Sequence, residues 1–234
     1  MLNGQIIEMT LQPIYLFADS QLLFWKNKGV PFLHSIIPRV MYSSPKAAYI
    51  GVSNGDAPEF YSIFEAAMEG IDIRNCKMIR SSFPAEDESF LKEADIILLA
   101  GGDVEIGWTV LTERGIKELI KTRYYEGTIL IGISAGAVQL GLYGLIDREQ
   151  SLDRLIETFK LVPFIIGAHE EGQEWGRLKR TLRLLNGATK GIGIPTGGGL
   201  VYYPDQSIEA VRHPLYVFSI EGGAVRHNLL LPKE

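Results

Sequence analysis

The sequence predicts a three-layer α/β/α domain, doubly wound around a mostly parallel sheet, with an antiparallel extension at its C-terminus. Three observations carry this prediction. Runs that are apolar at every residue, such as Ile96-Ile97-Leu98-Leu99, suit strands buried on both faces. Segments with apolar residues at three- and four-residue spacing separate those runs, so strand and helix alternate. From Leu200 onward the helical spacing stops and short strands follow one another.

Pro13–Phe17, Ala47–Val52, Cys76–Ile79, Ile96–Ala100, Thr128–Ile133 and Phe164–Ile166 are the expected strands of the sheet. They are rich in β-branched and aromatic residues and end in glycine or polar residues. Pro58 and Glu59 open a helix whose apolar face is Phe60, Ile63, Phe64, Ala67 and Met68. Ile106–Thr122 and Glu174–Leu185 have the same spacing. Leu200–Tyr203, Ile208–Val211, Tyr216–Ile220 and Val225–Leu231 form the antiparallel part, and Gly222-Gly223 marks a hairpin turn. No Pro- or Ser-rich linker interrupts the chain. Residues 1–12 are expected to be a loosely held extension and residues 13–234 a single domain.

The composition bounds the function classes. The chain has 234 residues, 46% of them hydrophobic, with 23 Lys+Arg against 28 Asp+Glu. A domain of that size has a large core without disulfides or structural metals. The single cysteine, Cys76, excludes an internal disulfide and a multi-thiolate zinc site, and it points to a reducing, cytoplasmic compartment. A net charge of −5 argues against non-specific nucleic-acid binding. No apolar run is long enough to span a bilayer, and Met1-Leu2-Asn3-Gly4-Gln5 lacks the basic start of a signal peptide.

Gly132-Ile133-Ser134-Ala135-Gly136 has the Gly-x-Ser-x-Gly pattern of a nucleophile elbow. Thr128–Ile131 reads as the strand feeding the turn, and Ala135–Leu140 as the helix leaving it. Such a turn strains the serine backbone, needs small neighbours, and aims the Ala135 N–H at a developing oxyanion. The plain alternative is a Gly-rich turn with an incidental serine. Gly101-Gly102-Asp103 follows another strand at the same sheet edge, where open α/β sheets bind ligands. Gly102 is a candidate second donor, and Asp103 is expected to cap the next helix.

A nucleophilic serine needs a base. His34 is expected to be packed structure, and His213 and His227 belong to the antiparallel part. His169 follows the strand Phe164–Ile166 and is the best base by topology; its plain alternative is an ordinary loop histidine. His169-Glu170 is not a zinc motif, because Gln173 replaces the second histidine.

Taken together, Ala100-Gly101-Gly102-Asp103, Gly132–Ala137, His169, the basic segment Arg177-Leu178-Lys179-Arg180 and Gly193-Ile194-Pro195-Thr196-Gly197 make the chain similar to the dipeptidase E and cyanophycinase family of serine peptidases. The resemblance runs from about Lys46 to Ile220. It implies a flavodoxin-like, class I glutamine amidotransferase-like fold with serine in place of the elbow cysteine. It implies that Ser134 is the nucleophile, His169 the general base, and Gly102 and Ala135 the oxyanion donors. It implies hydrolysis of a short or unusual peptide, with an Asp-containing one in view, without cofactor or metal, and a homodimer as in some relatives. Arg177 matches a position where relatives hold the substrate's acidic side chain; one solvated charge among Arg177, Lys179, Arg180 and Arg183 is the equal alternative.

Three positions depart from the family. Thr196 stands where relatives usually carry the glutamate that orients the histidine, Gly167 where cyanophycinases often have Asp, and Glu170 where Phe is usual. Asp147, Glu149, Glu170 and Glu171 are the candidates to replace the acid. The Thr196 substitution also supports a second expectation, a relative that binds a small peptide or amino-acid derivative without efficient hydrolysis. A glutamine amidotransferase would need a cysteine at the elbow, and Cys76 is elsewhere. Gly191-x-Gly193-x-x-Thr196 lacks the last glycine of a dinucleotide fingerprint.

Overall fold

The computed structural model describes residues 11–40, 44–146 and 153–233. The chain begins with β1 (Ile14–Phe17), a small hairpin of β2 (Lys26–Asn27) and β3 (Val30–Pro31), and β4 (Lys46–Ile50). Then come α1 (Pro58–Glu69), β5 (Asn75–Ile79), α2 (Ala85–Lys92), β6 (Ile96–Leu99), α3 (Val104–Glu113) and α4 (Ile116–Tyr125). The elbow region is β7 (Ile129–Ile133) and α5 (Ala135–Leu140), followed by β8 (Tyr143–Ile146), β9 (Arg154–Glu157) and β10 (Ile165–Ala168). The chain ends with α6 (Gly176–Leu184), β11 (Gly191–Ile194), β12 (Gly199–Tyr202), β13 (Ile208–Val211), β14 (Leu215–Glu221) and β15 (Ala224–Leu230). Among the described residues no helix is long and apolar enough to cross a membrane.

Seven strands make the main sheet in the order β13-β12-β1-β7-β6-β4-β5. β1, β7, β6, β4 and β5 are mutually parallel, and β12 and β13 add to the β1 edge antiparallel. Helices cover both faces, giving the expected α/β/α layers. Along β6, Ile97 and Leu99 pack in one core cluster while Ile96 and Leu98 pack in the other. That is why this run has no polar face.

The structure corrects four details. The segment Ile106–Thr122 is two helices rather than one, because Gly115 adopts φ 74° and the chain turns there. The helix expected from Glu174 begins at Gly176, since Glu174 and Trp175 are both left-handed (φ 52° and 60°). The strand around Phe164–Ile166 is outside the main sheet. It is β10 of a second sheet, β10-β11-β14-β15, whose core is Ile165, Trp175, Leu178, Leu182 and Phe218. The C-terminal strands are therefore divided: β12 and β13 extend the main sheet, and β14 and β15 complete the second. Of the N-terminal extension, residues 1–10 lie outside the described residues, and Leu11 packs against the main core.

Candidate active site

β7 delivers Ser134 to the carboxyl edge of the parallel strands. Its backbone is strained, with φ 50° and ψ −108°, a conformation costing about 1–3 kcal/mol that the surroundings must hold. The Ser134 N–H donates to the Phe17 carbonyl at 2.9 Å, which anchors the turn to β1. The small elbow residues are required by close approach. A Cβ on Gly136 would lie 2.2 Å from the Leu99 carbonyl oxygen, and one on Gly132 would lie 2.7 Å from the Gly136 backbone.

His169 follows β10 with φ 48° and donates its own N–H to the Ile194 carbonyl at 2.9 Å. Its Nε2 lies 2.7 Å from Ser134 Oγ. For Nε2 to accept the hydroxyl proton, Nδ1 must carry the ring's hydrogen. His169 thus reaches the serine from the second sheet, not from a neighbouring strand of the main one. Of the other histidines, His34 is exposed on the 3-10 helix Phe32–Arg39, not packed as expected. His227 lies on β15 against Tyr216 and Phe218.

Gly102 has φ +135°, and a Cβ there would fall 2.0 Å from the Ser53 carbonyl oxygen, so only glycine fits. Among the described residues, neither the Gly102 nor the Ala135 N–H is engaged in a hydrogen bond. Both amides remain available as donors. Asp103 accepts the Ile106 N–H at 2.8 Å and caps α3. Beneath this loop, buried Gln139 donates to Ser53 Oγ at 3.1 Å and to the Val104 carbonyl at 3.2 Å. The strand-edge glycine pair was legible in the sequence; this polar support was not, because Ser53 and Gln139 are 86 residues apart.

Two of the four candidate acids, Asp147 and Glu149, lie outside the described residues. Among the described residues no carboxylate hydrogen-bonds the other nitrogen of His169. Glu171 accepts the N–H of Thr196, the residue in the expected acid position, at 3.0 Å. Burial alone would raise the Glu171 carboxyl, but hydrogen bonding from Thr196 and the charge of His169 hold it below the usual carboxylate range. Glu170 goes the other way. Burial pushes it up, against the pull of the Leu178 N–H (3.3 Å) and the charges of Arg177 and His169.

Arg177 is exposed on α6, donates to the Leu145 carbonyl at 3.1 Å, and opens on a polar concavity shared with Gln173, Arg180 and Arg183. Cys76 sits on β5 at the far edge of the main sheet, where burial pushes its thiol up to about 11. A cavity of about 240 Å³ adjoins Ser134 and His169 and reaches Asp19 at the end of β1. Asp19 was missed at the sequence level, although its place just after the strand Pro13–Phe17 is a usable signal.

The profile of peptidase family S51 matches residues 26–210. An uncharacterized peptidase, YgaJ, of Bacillus subtilis (strain 168) is 24% identical over 172 residues, covering 71% of this chain and 73% of that protein. A peptidase from an acI-B1 Actinobacterium superposes with a TM-score of 0.70 at 18% identity, over 97% of this chain and 96% of the other. A candidate peptidase E from Listeria monocytogenes EGD-e gives 0.57 at 16%, over 94% and 99%.

Proposed function

The chain belongs to peptidase family S51, and from that membership we propose that it is a serine-type peptidase cleaving short peptides through an acyl-enzyme. The observation carrying this reading is the 2.7 Å approach of His169 Nε2 to Ser134 Oγ on a strained elbow. His169 takes the hydroxyl proton as Ser134 Oγ bonds to the scissile carbonyl carbon. The oxyanion forms between the Gly102 and Ala135 N–H groups. His169 then gives its proton to the leaving amine as the C–N bond breaks. Water, deprotonated by His169, attacks the ester and releases the acid, returning the proton to Ser134.

In this reading Glu171, and not residue 196, supplies the negative charge that favours the imidazolium. Thr196 holds Glu171 in place by hydrogen bonding from its side chain and its backbone N–H. The test is active-site labelling: a fluorophosphonate should modify Ser134 stoichiometrically, and His169→Ala should abolish labelling. Unchanged peptide hydrolysis by Ser134→Ala would refute the assignment.

One observation favours a second reading, a peptide-binding protein with little turnover: among the described residues the second nitrogen of His169 lacks a carboxylate partner. That reading requires tight peptide binding together with no labelling of Ser134.

A further inference from the structure

The cavity beside the nucleophile has a chemistry that the peptidase assignment does not specify. Its wall is built from the ends of β4 and β6, the 3-10 helix Ser20–Leu23 and α1, with Leu23, Tyr49, Phe60, Ile63, Phe64 and Leu98 among its apolar side chains. Two polar side chains in the wall are already engaged with protein partners. Asn54 Nδ2 donates to the Tyr49 hydroxyl at 2.9 Å, and Asp19 accepts the N–H groups of Gln21 at 2.8 Å and Gly197 at 2.7 Å. Among the described residues, no lysine or arginine lines it, and Asp19 is the one carboxylate in its wall.

We propose that this cavity selects an apolar side chain of aromatic size on the residue whose carbonyl Ser134 attacks, and disfavours an acidic one. The proposal rests on the serine-peptidase reading. That residue's side chain branches one bond from the carbonyl, and the cavity, lined by Gly101, Gly102 and Ser134, opens directly beside the point of attack, so it is the space offered to that side chain. The volume of about 240 Å³ exceeds the roughly 150 Å³ of an apolar cavity that accommodates benzene. A carboxylate placed there would lose water, meet no lysine or arginine among the described residues and face the charge of Asp19. The resemblance to acidic-substrate peptidases therefore does not extend to this wall, and Arg177 opens on the other concavity.

The test separates binding from chemistry. Titration of Ser134→Ala protein with Phe-Ala, Leu-Ala and Asp-Ala should give at least about 100-fold tighter binding of Phe-Ala than of Asp-Ala; His169→Ala protein gives the same comparison should the first variant not fold. Phe60 is 52% exposed, so Phe60→Arg is tolerated by the fold and should shift the preference toward Asp-Ala by about tenfold or more. Equal binding, a preference for Asp-Ala, or no measurable binding of any dipeptide would overturn the proposal. Labelling of wild-type Ser134 by a fluorophosphonate is scored separately. Labelling without the apolar preference removes this proposal alone, whereas absence of labelling removes the peptidase reading and this proposal with it, whatever the binding preference.

Discussion

Asp19 Oδ2 accepts the Gly197 N–H at 2.7 Å, tying the end of β1 in the main sheet to the turn after β11 in the second. Its other oxygen accepts the Gln21 N–H at 2.8 Å, capping the 3-10 helix Ser20–Leu23. Ser134 is anchored to β1 and His169 to β11, so this carboxylate ties together the two supports of the pair. Asp19→Ala should lower stability by about 1–2 kcal/mol. It should also lower kcat/KM by up to about 10²-fold through misplacement of the pair. Asp19→Asn, which keeps one acceptor, should recover most of both in urea melts and steady-state kinetics.

Ser134 combines reactivity with a backbone unsuited to a side chain. Ser134→Ala and Ser134→Gly should both lose at least about 10⁴-fold in kcat/KM. They should differ in stability, because only glycine relieves φ 50°. We expect Ser134→Gly to be the more stable by about 1 kcal/mol, read from urea unfolding midpoints.

Gly102→Ala should be severe despite adding one methyl. The new Cβ would meet the Ser53 carbonyl at 2.0 Å with φ already at +135°. Displacing this donor should cost about 10²–10³-fold in kcat, with KM less affected. Wild-type kcat in Gly102→Ala would remove Gly102 from the oxyanion site.

Glu171→Gln tests the substitute acid. Since Glu171 does not bond the ring directly, its loss should cost about tenfold in kcat/KM, well below the roughly 10⁴-fold of a directly bonded acid. The loss should fall on kcat rather than KM, since Glu171 acts on the charge developing at the catalytic pair and not on the bound peptide. Glu171→Asp, which keeps the charge, should recover part of it. Unchanged kcat in Glu171→Gln would leave Glu171 a purely structural residue.

Acid stability has a different source. Asp87 is fully enclosed and accepts from the Arg80 N–H (2.9 Å), Arg80 Nε (3.0 Å) and Lys77 Nζ (3.1 Å). Burial opposes its ionisation, but these bonds and charges leave the carboxyl below its usual range. A carboxyl lowered on folding stabilises the protein above the ordinary carboxylate range, and that stability disappears as the pH falls through the lowered value. Asp87→Asn should cost about 2–3 kcal/mol at pH 7, less than a fully buried pair because Arg80 is half exposed. The difference from wild type should shrink toward pH 3 in urea titrations.

Much of this protein is readable along the chain because its signals are local. The all-apolar run Ile96–Leu99 announced a buried strand, and Gly132–Gly136 between a strand and a helix announced the elbow. The second sheet was not readable in this way. Its β11 is Gly191-Ile192-Gly193-Ile194, and half its residues are glycine, which has low strand propensity. Those glycines make room for neighbours: a Cβ on Gly193 would meet the Trp175 ring at 2.7 Å, and one on Gly191 the Leu178 side chain at 2.8 Å. The antiparallel pairing of β8 with β9 also passed unnoticed, because the sequence between them carries no strong local signature.

By itself the sequence determined the layer architecture, the serine at the strand-to-helix turn, the histidine that follows a strand, and the absence of an acid at position 196. Those depend on residue type and short-range spacing. Tertiary structure alone decided that His169 reaches Ser134 from a separate sheet, that Thr196 hydrogen-bonds Glu171, and that the wall beside the nucleophile is largely apolar. Each of these depends on contacts between segments tens of residues apart, formed only when the two sheets pack and their distant ends meet.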